Sequence, residues 1–167
     1  MLTSRRDYLL RIVDEVGLLV RRMLQQRTSG RPDEALQSVV AACERLFQLE
    51  AAQLFQFTPD QQIGLLANGE PPDVARDKIL LYAALNEEAG RCYRTLGKVA
   101  LSQQSFLYTL RLTLKAEQIC PGLGQPAFAP DPAAVLQLLG ETRLDADTAA
   151  LVAAVGLKPH GPPKSSP

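Results

Sequence analysis

Apolar residues recur every third or fourth position at the start of the chain: Tyr8, Leu9, Ile12, Val13, Val16, Leu19, Val20, Met23 and Leu24. That spacing predicts an amphipathic helix over 4–26 with a wide buried stripe. Ser4 is placed to cap its start, and Thr28-Ser29-Gly30 to end it. Pro32, whose fixed φ suits a first helical turn, opens a second helix, with Asp33 and Glu34 near its positive end. Its inner face would be Ala35, Leu36, Val39, Val40, Ala42, Cys43, Leu46 and Phe47. A connection of a few residues between two such helices makes them an antiparallel hairpin.

Leucine and phenylalanine continue through 48–57 and predict an extension of the second helix. Thr58-Pro59-Asp60-Gln61 then combines a capping residue, a first-turn proline and a glutamine three positions after the cap, which starts a short helix. Asn68-Gly69 ends it, and Glu70-Pro71-Pro72 is a stiff link. Long helices are predicted over 73–96 and 99–118, turning at Gly97-Lys98. The second of these offers Leu101, Ser105, Phe106, Tyr108, Thr109 and Leu112 for packing. Composition shifts at Pro121-Gly122-Leu123-Gly124-Gln125-Pro126, which marks a boundary. Two short helices follow, one opened by Asp131-Pro132 and one over 145–155. They either cap the preceding helices or form a tethered hairpin, and the cap is preferred because two such short helices are marginal alone. The organisation is therefore a helical domain over 1–118, a Pro/Gly-rich linker over 119–130, a short helical hairpin over 131–157 and a flexible tail over 158–167.

Composition agrees with an all-α chain. Aromatic residues make up 5% and tryptophan is absent, while Leu, Ala, Gln, Arg and Glu dominate. An apolar content of 46% over 167 residues suffices for a core without staples. Cys43, Cys92 and Cys120 are an odd number without a close pair, which argues against a disulfide framework and a zinc site and for a reducing cytosol. Cys43 and Cys92 fall on buried stripes and read as apolar fillers. No stretch has the form of an export signal or a membrane span.

Net charge is zero, but the charges are blocked. Residues 1–31 carry seven arginines against three acids, 32–90 three basic against ten acidic groups, and 91–120 five against one. Such blocks can complement one another within the fold or between subunits. The arginines of the first helix lack interleaved aromatics and alternate with acids, which argues against nucleic acid as a partner. That helix also carries more apolar surface than one face requires. Either later helices wrap it or it forms a dimer seam.

Aligning Gly30 with Gly97 brings Ala35 onto Ser102, Val39 onto Phe106 and Ala42 onto Thr109, an internal similarity at a separation of 67 residues. Gly90, Tyr93, Gly97, Ser102, Phe106 and Thr109 stand at the offsets where two antiparallel helices touch. Gly90 admits a close crossing, Tyr93 and Phe106 fill the space, and Gly97 makes the turn. In this pattern, residues 83–116 resemble a tetratricopeptide repeat, and 16–49 resemble a degraded one, with Met23 at the glycine position and Gln26 at the tyrosine position. The segment Arg6-Asp7-Tyr8-Leu9-Leu10-Arg11-Ile12, with this hairpin spacing, is similar to an uncharacterised bacterial family of tetratricopeptide-like proteins over 1–118. The resemblance implies a short solenoid of stacked hairpins that binds a protein or peptide, and it implies no reaction, cofactor or metal.

By motif position the resemblance places Glu87, Arg91, Arg94 and Thr95 on the concave surface, and Lys98 continues the stripe. Arginine forks suit carboxylates, so this strip is the candidate partner-binding site for an acidic peptide. The plain alternative is a solvated face, or pairing of the arginines with Glu87 and Glu88. Asp14-Glu15 and Glu87-Glu88 are adjacent on their helices and do not converge on one site. His160 lies among prolines and a glycine in the tail, without the fixed orientation a general base needs. No catalytic, cofactor-binding or metal-binding residue is assigned. The chain reads as a cytoplasmic, non-enzymatic interaction scaffold or adaptor. The alternatives are a self-assembling homodimeric helical protein and, remotely, an enzyme with an unrecognised helical active site.

Overall fold

The computed structural model describes residues 2–158, with side chains from residue 5 onward. Eight α-helices follow in chain order among these residues: α1 (Leu2–Thr28), α2 (Pro32–Phe47), α3 (Ala51–Leu54), α4 (Pro59–Ala67), α5 (Pro72–Thr95), α6 (Val99–Ile119), α7 (Pro132–Leu139) and α8 (Ala146–Ala154). The predicted tail beyond Lys158, His160 included, lies outside the described residues. No described helix is long and apolar enough to cross a membrane.

Two boundaries and one packing residue differ from the sequence reading. Ser4 lies within α1 rather than capping it, because the helix already starts at Leu2. The second helix does not run on through 48–57. Gln48 turns left-handed at φ 56° and closes α2 by donating its N–H to the Glu44 carbonyl at 2.8 Å. The Glu44 carboxylate then accepts the N–H of Ala51 at 2.9 Å, which starts the separate α3. Leu101, offered for packing, is exposed on α6.

Helices α1 and α2 form one antiparallel hairpin and α5 and α6 another, with α2 and α1 packed on α5. The main core lies between them. It joins Ile12, Val16 and Met23 of α1 with Ala35, Ala42 and Leu46 of α2 and Ile79, Leu80, Leu81 and Leu85 of α5. Leu112 and Ala116 of α6 complete this core. The opposite side of α6 sends Phe106, Leu110 and Leu114 into a second cluster with Val135, Leu136 and Leu139 of α7 and Leu151 and Val152 of α8. Both short C-terminal helices thus bury their apolar faces on α6. Each starts on an aspartate cap, Asp131 accepting from Ala133 N–H and Asp145 from Thr148 N–H.

The two hairpin turns are built alike. Gly30 and Gly97 both adopt positive φ, at 78° and 73°, a region that costs glycine little. Arg31 N–H donates to the Gln26 carbonyl at 2.8 Å and Lys98 N–H to the Tyr93 carbonyl at 2.9 Å. Gly30 donates to Arg27 and Gly97 to Arg94, again 67 residues apart. Past the turns, the aligned pairs Ala35 and Ser102, Val39 and Phe106, and Ala42 and Thr109 are all buried.

The hairpins differ at the helix crossing. Gly90 lies against the Phe106 ring so closely that a Cβ there would stand 2.6 Å from Cε1. The buried Ser102 hydroxyl donates to the Gly90 carbonyl at 2.8 Å. Tyr93 does not share that space: it packs on the main core, while Phe106 belongs to the second cluster. In the first hairpin Met23 fills the corresponding position, and Gln26 accepts a hydrogen bond from the Ser38 hydroxyl at 2.8 Å.

The charge blocks meet in part across the fold. Arg27 Nε donates to the buried Glu88 at 2.5 Å, and Arg111 reaches Asp60 at 2.9 Å. Arg76 is buried on α5, where Asp77 accepts from its Nε and Nη2 and the Gly124 carbonyl accepts from Nη1 at 3.2 Å. The segment between α6 and α7 is thereby fastened to α5.

Candidate functional site

A cleft of about 650 Å³ opens where the start of α4, the middle of α5 and α6, and the start of α8 come together. The capping box anticipated at Thr58 builds its first wall. Thr58 Oγ accepts from Gln61 N–H at 3.2 Å, and Gln61 Oε1 accepts from Thr58 N–H at 2.8 Å. Phe55 and Phe57, in the loop before this cap, stand exposed at the mouth.

The floor is a polar network, buried at Gln62 and Tyr82 and half-buried at Tyr108. Gln62 on α4 accepts through Oε1 from the hydroxyls of Tyr82 at 2.9 Å and Tyr108 at 2.7 Å. Its Nε2 donates to the carbonyls of Leu54 and Phe57, so the amide's hydrogen-bonding capacity is spent. The same side chain thereby fastens the loop that carries the two phenylalanines. Tyr82 stacks edge-on against Phe47 and Tyr108, with centroids 4.8 Å and 5.6 Å away. Burial pushes both phenols above their ordinary range, so they act as hydrogen-bond donors rather than bases.

Arg111 of α6 spans the far wall. Its Nη2 donates to Asp60 at the start of α4 at 2.9 Å, and Asp147 at the start of α8 lies 3.9 Å from Nη1. The guanidinium side chain is only 20% exposed, whereas Asp60 and Asp147 are 71% and 82% exposed. What an entering ligand meets at this rim is therefore carboxylate. Asp145 is held low by the Thr148 backbone N–H and hydroxyl that it accepts from at the α8 cap, so its oxygens are already engaged. Arg111 Nε is buried without a partner. Asn86, Gln104 and Ser105 add neutral polar groups to the lining.

None of Glu87, Arg91, Arg94, Thr95 and Lys98 lines this cleft. Arg91 gives Nη2 to Glu87 at 3.0 Å, one helical turn away, and the Thr95 hydroxyl donates to the Arg91 carbonyl. Arg94 and Lys98 are exposed, with no ion pair among the described residues. Burial raises Cys43 to about 12 and Cys92 to about 11, values that keep both as thiols. Among the described residues, no group of three or more His, Cys, Asp or Glu could hold a metal ion.

Sequence reasoning missed Gln62, Arg111 and the cleft itself. Arg111 is an arginine between Leu110 and Leu112 on a mainly apolar helix, and Asp60 and Asp147 both sit in first helical turns. Those signals mark the three residues without showing that they meet. Comparison of the chain with protein-family models, curated proteins and solved structures found no match.

Proposed function

We propose that the chain is a non-enzymatic interaction module, tetratricopeptide-like in the pairing of its hairpins, that takes a short peptide or helix of a partner protein into the cleft. The observation that carries this reading is the pair of exposed phenylalanines held over the fixed Gln62–Tyr82–Tyr108 floor. Exposed aromatics beside preorganised polar groups are what a peptide side chain and its backbone require. The exposed Asp60 and Asp147 favour a peptide that carries a cation next to an apolar anchor. The matched turns and matched buried positions of the two hairpins support the repeat-like part of the reading.

Peptides selected from a random display library on the purified chain test it. Selection of basic-apolar sequences that lose binding to Phe55→Ser/Phe57→Ser, but keep it with Arg94→Glu/Lys98→Glu, is the expected result. Selected peptides indifferent to both phenylalanines would overturn it. A second reading keeps the strip of Glu87, Arg91, Arg94, Thr95 and Lys98 as a site for an acidic peptide, supported by the exposure of Arg94 and Lys98. Acidic peptides whose binding is abolished by Arg91→Glu/Arg94→Glu would favour that strip over the cleft.

A further inference from the structure

Helix α1 turns its buried stripe toward α2 and α5 and leaves a second apolar stripe outside. Leu10 and Leu24 are 54% and 47% exposed. Val13 and Val20 are half-buried at its edge, where they also pack against the main core, and the exposed Leu18 lies off the stripe on the opposite side. Gly17 sits midway, seven residues from each leucine, and a Cβ placed on it would touch nothing within 4 Å. Leu10, Val13, Gly17, Val20 and Leu24 follow the alternating three-and-four spacing of a helix–helix seam.

The flanks of the stripe decide what covers it. On a helical projection Asp14 and Arg21 fall on one side of the Leu10–Gly17–Leu24 line, and Val13 and Val20 fall on the other. Asp14 and Arg21 are both exposed, and neither has an ion-pair partner among the described residues. In a parallel pair of such helices, unlike flanks face each other and the charges would meet valine. An antiparallel pair sets like flank against like flank.

We propose that a second copy of this chain covers this stripe, α1 against α1, antiparallel about a two-fold axis at Gly17. Leu10 then meets Leu24 of the second copy, and Val13 meets Val20 of the second copy. Asp14 faces Arg21 of the second copy, and symmetry makes each of these contacts twice. Every apolar position on the stripe finds an apolar neighbour, and both charges find the opposite sign. Gly17 faces itself at the axis, where the missing side chain lets the backbones approach. A 27-residue helix is about 40 Å long, so seven residues on either side of the axis fit within it.

Sedimentation and light scattering of the full chain test the dimer, and cysteine cross-linking tests its register. The wild-type chain at about 100 μM is expected to be a dimer, and Leu10→Glu/Leu24→Glu a monomer with unchanged helical content. Asp14→Arg should weaken association about tenfold, and Asp14→Arg/Arg21→Asp should restore it. On a Cys120→Ser background, Gly17→Cys should form a disulfide-linked dimer, since the axis brings those Cα atoms within about 7 Å. In the same background Leu10→Cys should cross-link only when paired with Leu24→Cys. A wild-type monomer at that concentration, a dimer indifferent to the leucine pair, or ready cross-linking of Leu10→Cys alone overturns the proposal.

Discussion

The Ser102 hydroxyl donates to the Gly90 carbonyl across the α5–α6 crossing, with the Phe106 ring against the same glycine. These contacts fix how near α5 and α6 can lie. A methyl at position 90 has no room unless the ring moves. Gly90→Ala is expected to destabilise the fold by about 1–3 kcal/mol despite alanine's better helix propensity. Adding Phe106→Leu should recover part of that loss, and urea unfolding of the four variants in the cycle measures the coupling.

Glu88 and Arg27 tie the first hairpin to α5 from a site with little solvent access. Removing one partner strands the other. Arg27→Ala and Glu88→Ala are each expected to cost about 3 kcal/mol, and the double variant about as much as either alone. Additive losses in thermal unfolding would show the pair to be uncoupled.

Gln62→Leu leaves the buried Tyr82 phenol without its acceptor, reduces the half-buried Tyr108 hydroxyl to its longer bond to the Pro59 carbonyl at 3.4 Å, and removes the amide donor from the Leu54 and Phe57 carbonyls. A loss of about 2–4 kcal/mol follows. Hydrogen exchange should show the 55–58 loop opening more often than α6 does in the same variant. Equal acceleration everywhere would assign the network a purely global role.

Asp145 has its folded pKa lowered by the Thr148 hydrogen bonds. A depressed carboxyl stabilises the fold above its unfolded pKa and loses that contribution as pH falls through the folded value. Asp145→Ala should therefore cost about 1 kcal/mol at neutral pH, with the difference from wild type shrinking below about pH 4. Stability curves across the acid range check the sign.

Thiol chemistry separates the three cysteines. Cys43 and Cys92 are buried, with the thiols raised to about 12 and about 11, while Cys120 is partly accessible. An alkylating reagent under native, mildly alkaline conditions should label Cys120 alone, and denaturant should expose the other two. Mass spectrometry of the labelled peptides reads the result.

Much of the helix layout was legible because its signals are local. Pro32, the Thr58 box, Gly97 and the Asp131 cap each act within four residues of where they stand. The Gly90–Ser102–Phe106 crossing was also readable, since small residues beside a large one have few other uses on facing helices. Gln48 escaped notice because no residue-level preference announces a left-handed glutamine, nor the Glu44 carboxylate that reaches forward to the Ala51 N–H beyond it. The cleft escaped for a stronger reason. Gln62, Tyr82 and Arg111 come from three helices, and only tertiary packing places them around one opening.

The twin turns at Gly30 and Gly97 bear on the order in which the chain acquires its structure. Each closes on backbone carbonyls within its own hairpin, so either can nucleate without the other. Contacts of such short sequence separation form early and fast. The meeting of α2 with α5, which must enclose the whole span from α3 through α4, is expected to be the slow event. Substitutions at Leu46 or Leu80 should therefore slow refolding more than those at either turn, as stopped-flow refolding would measure.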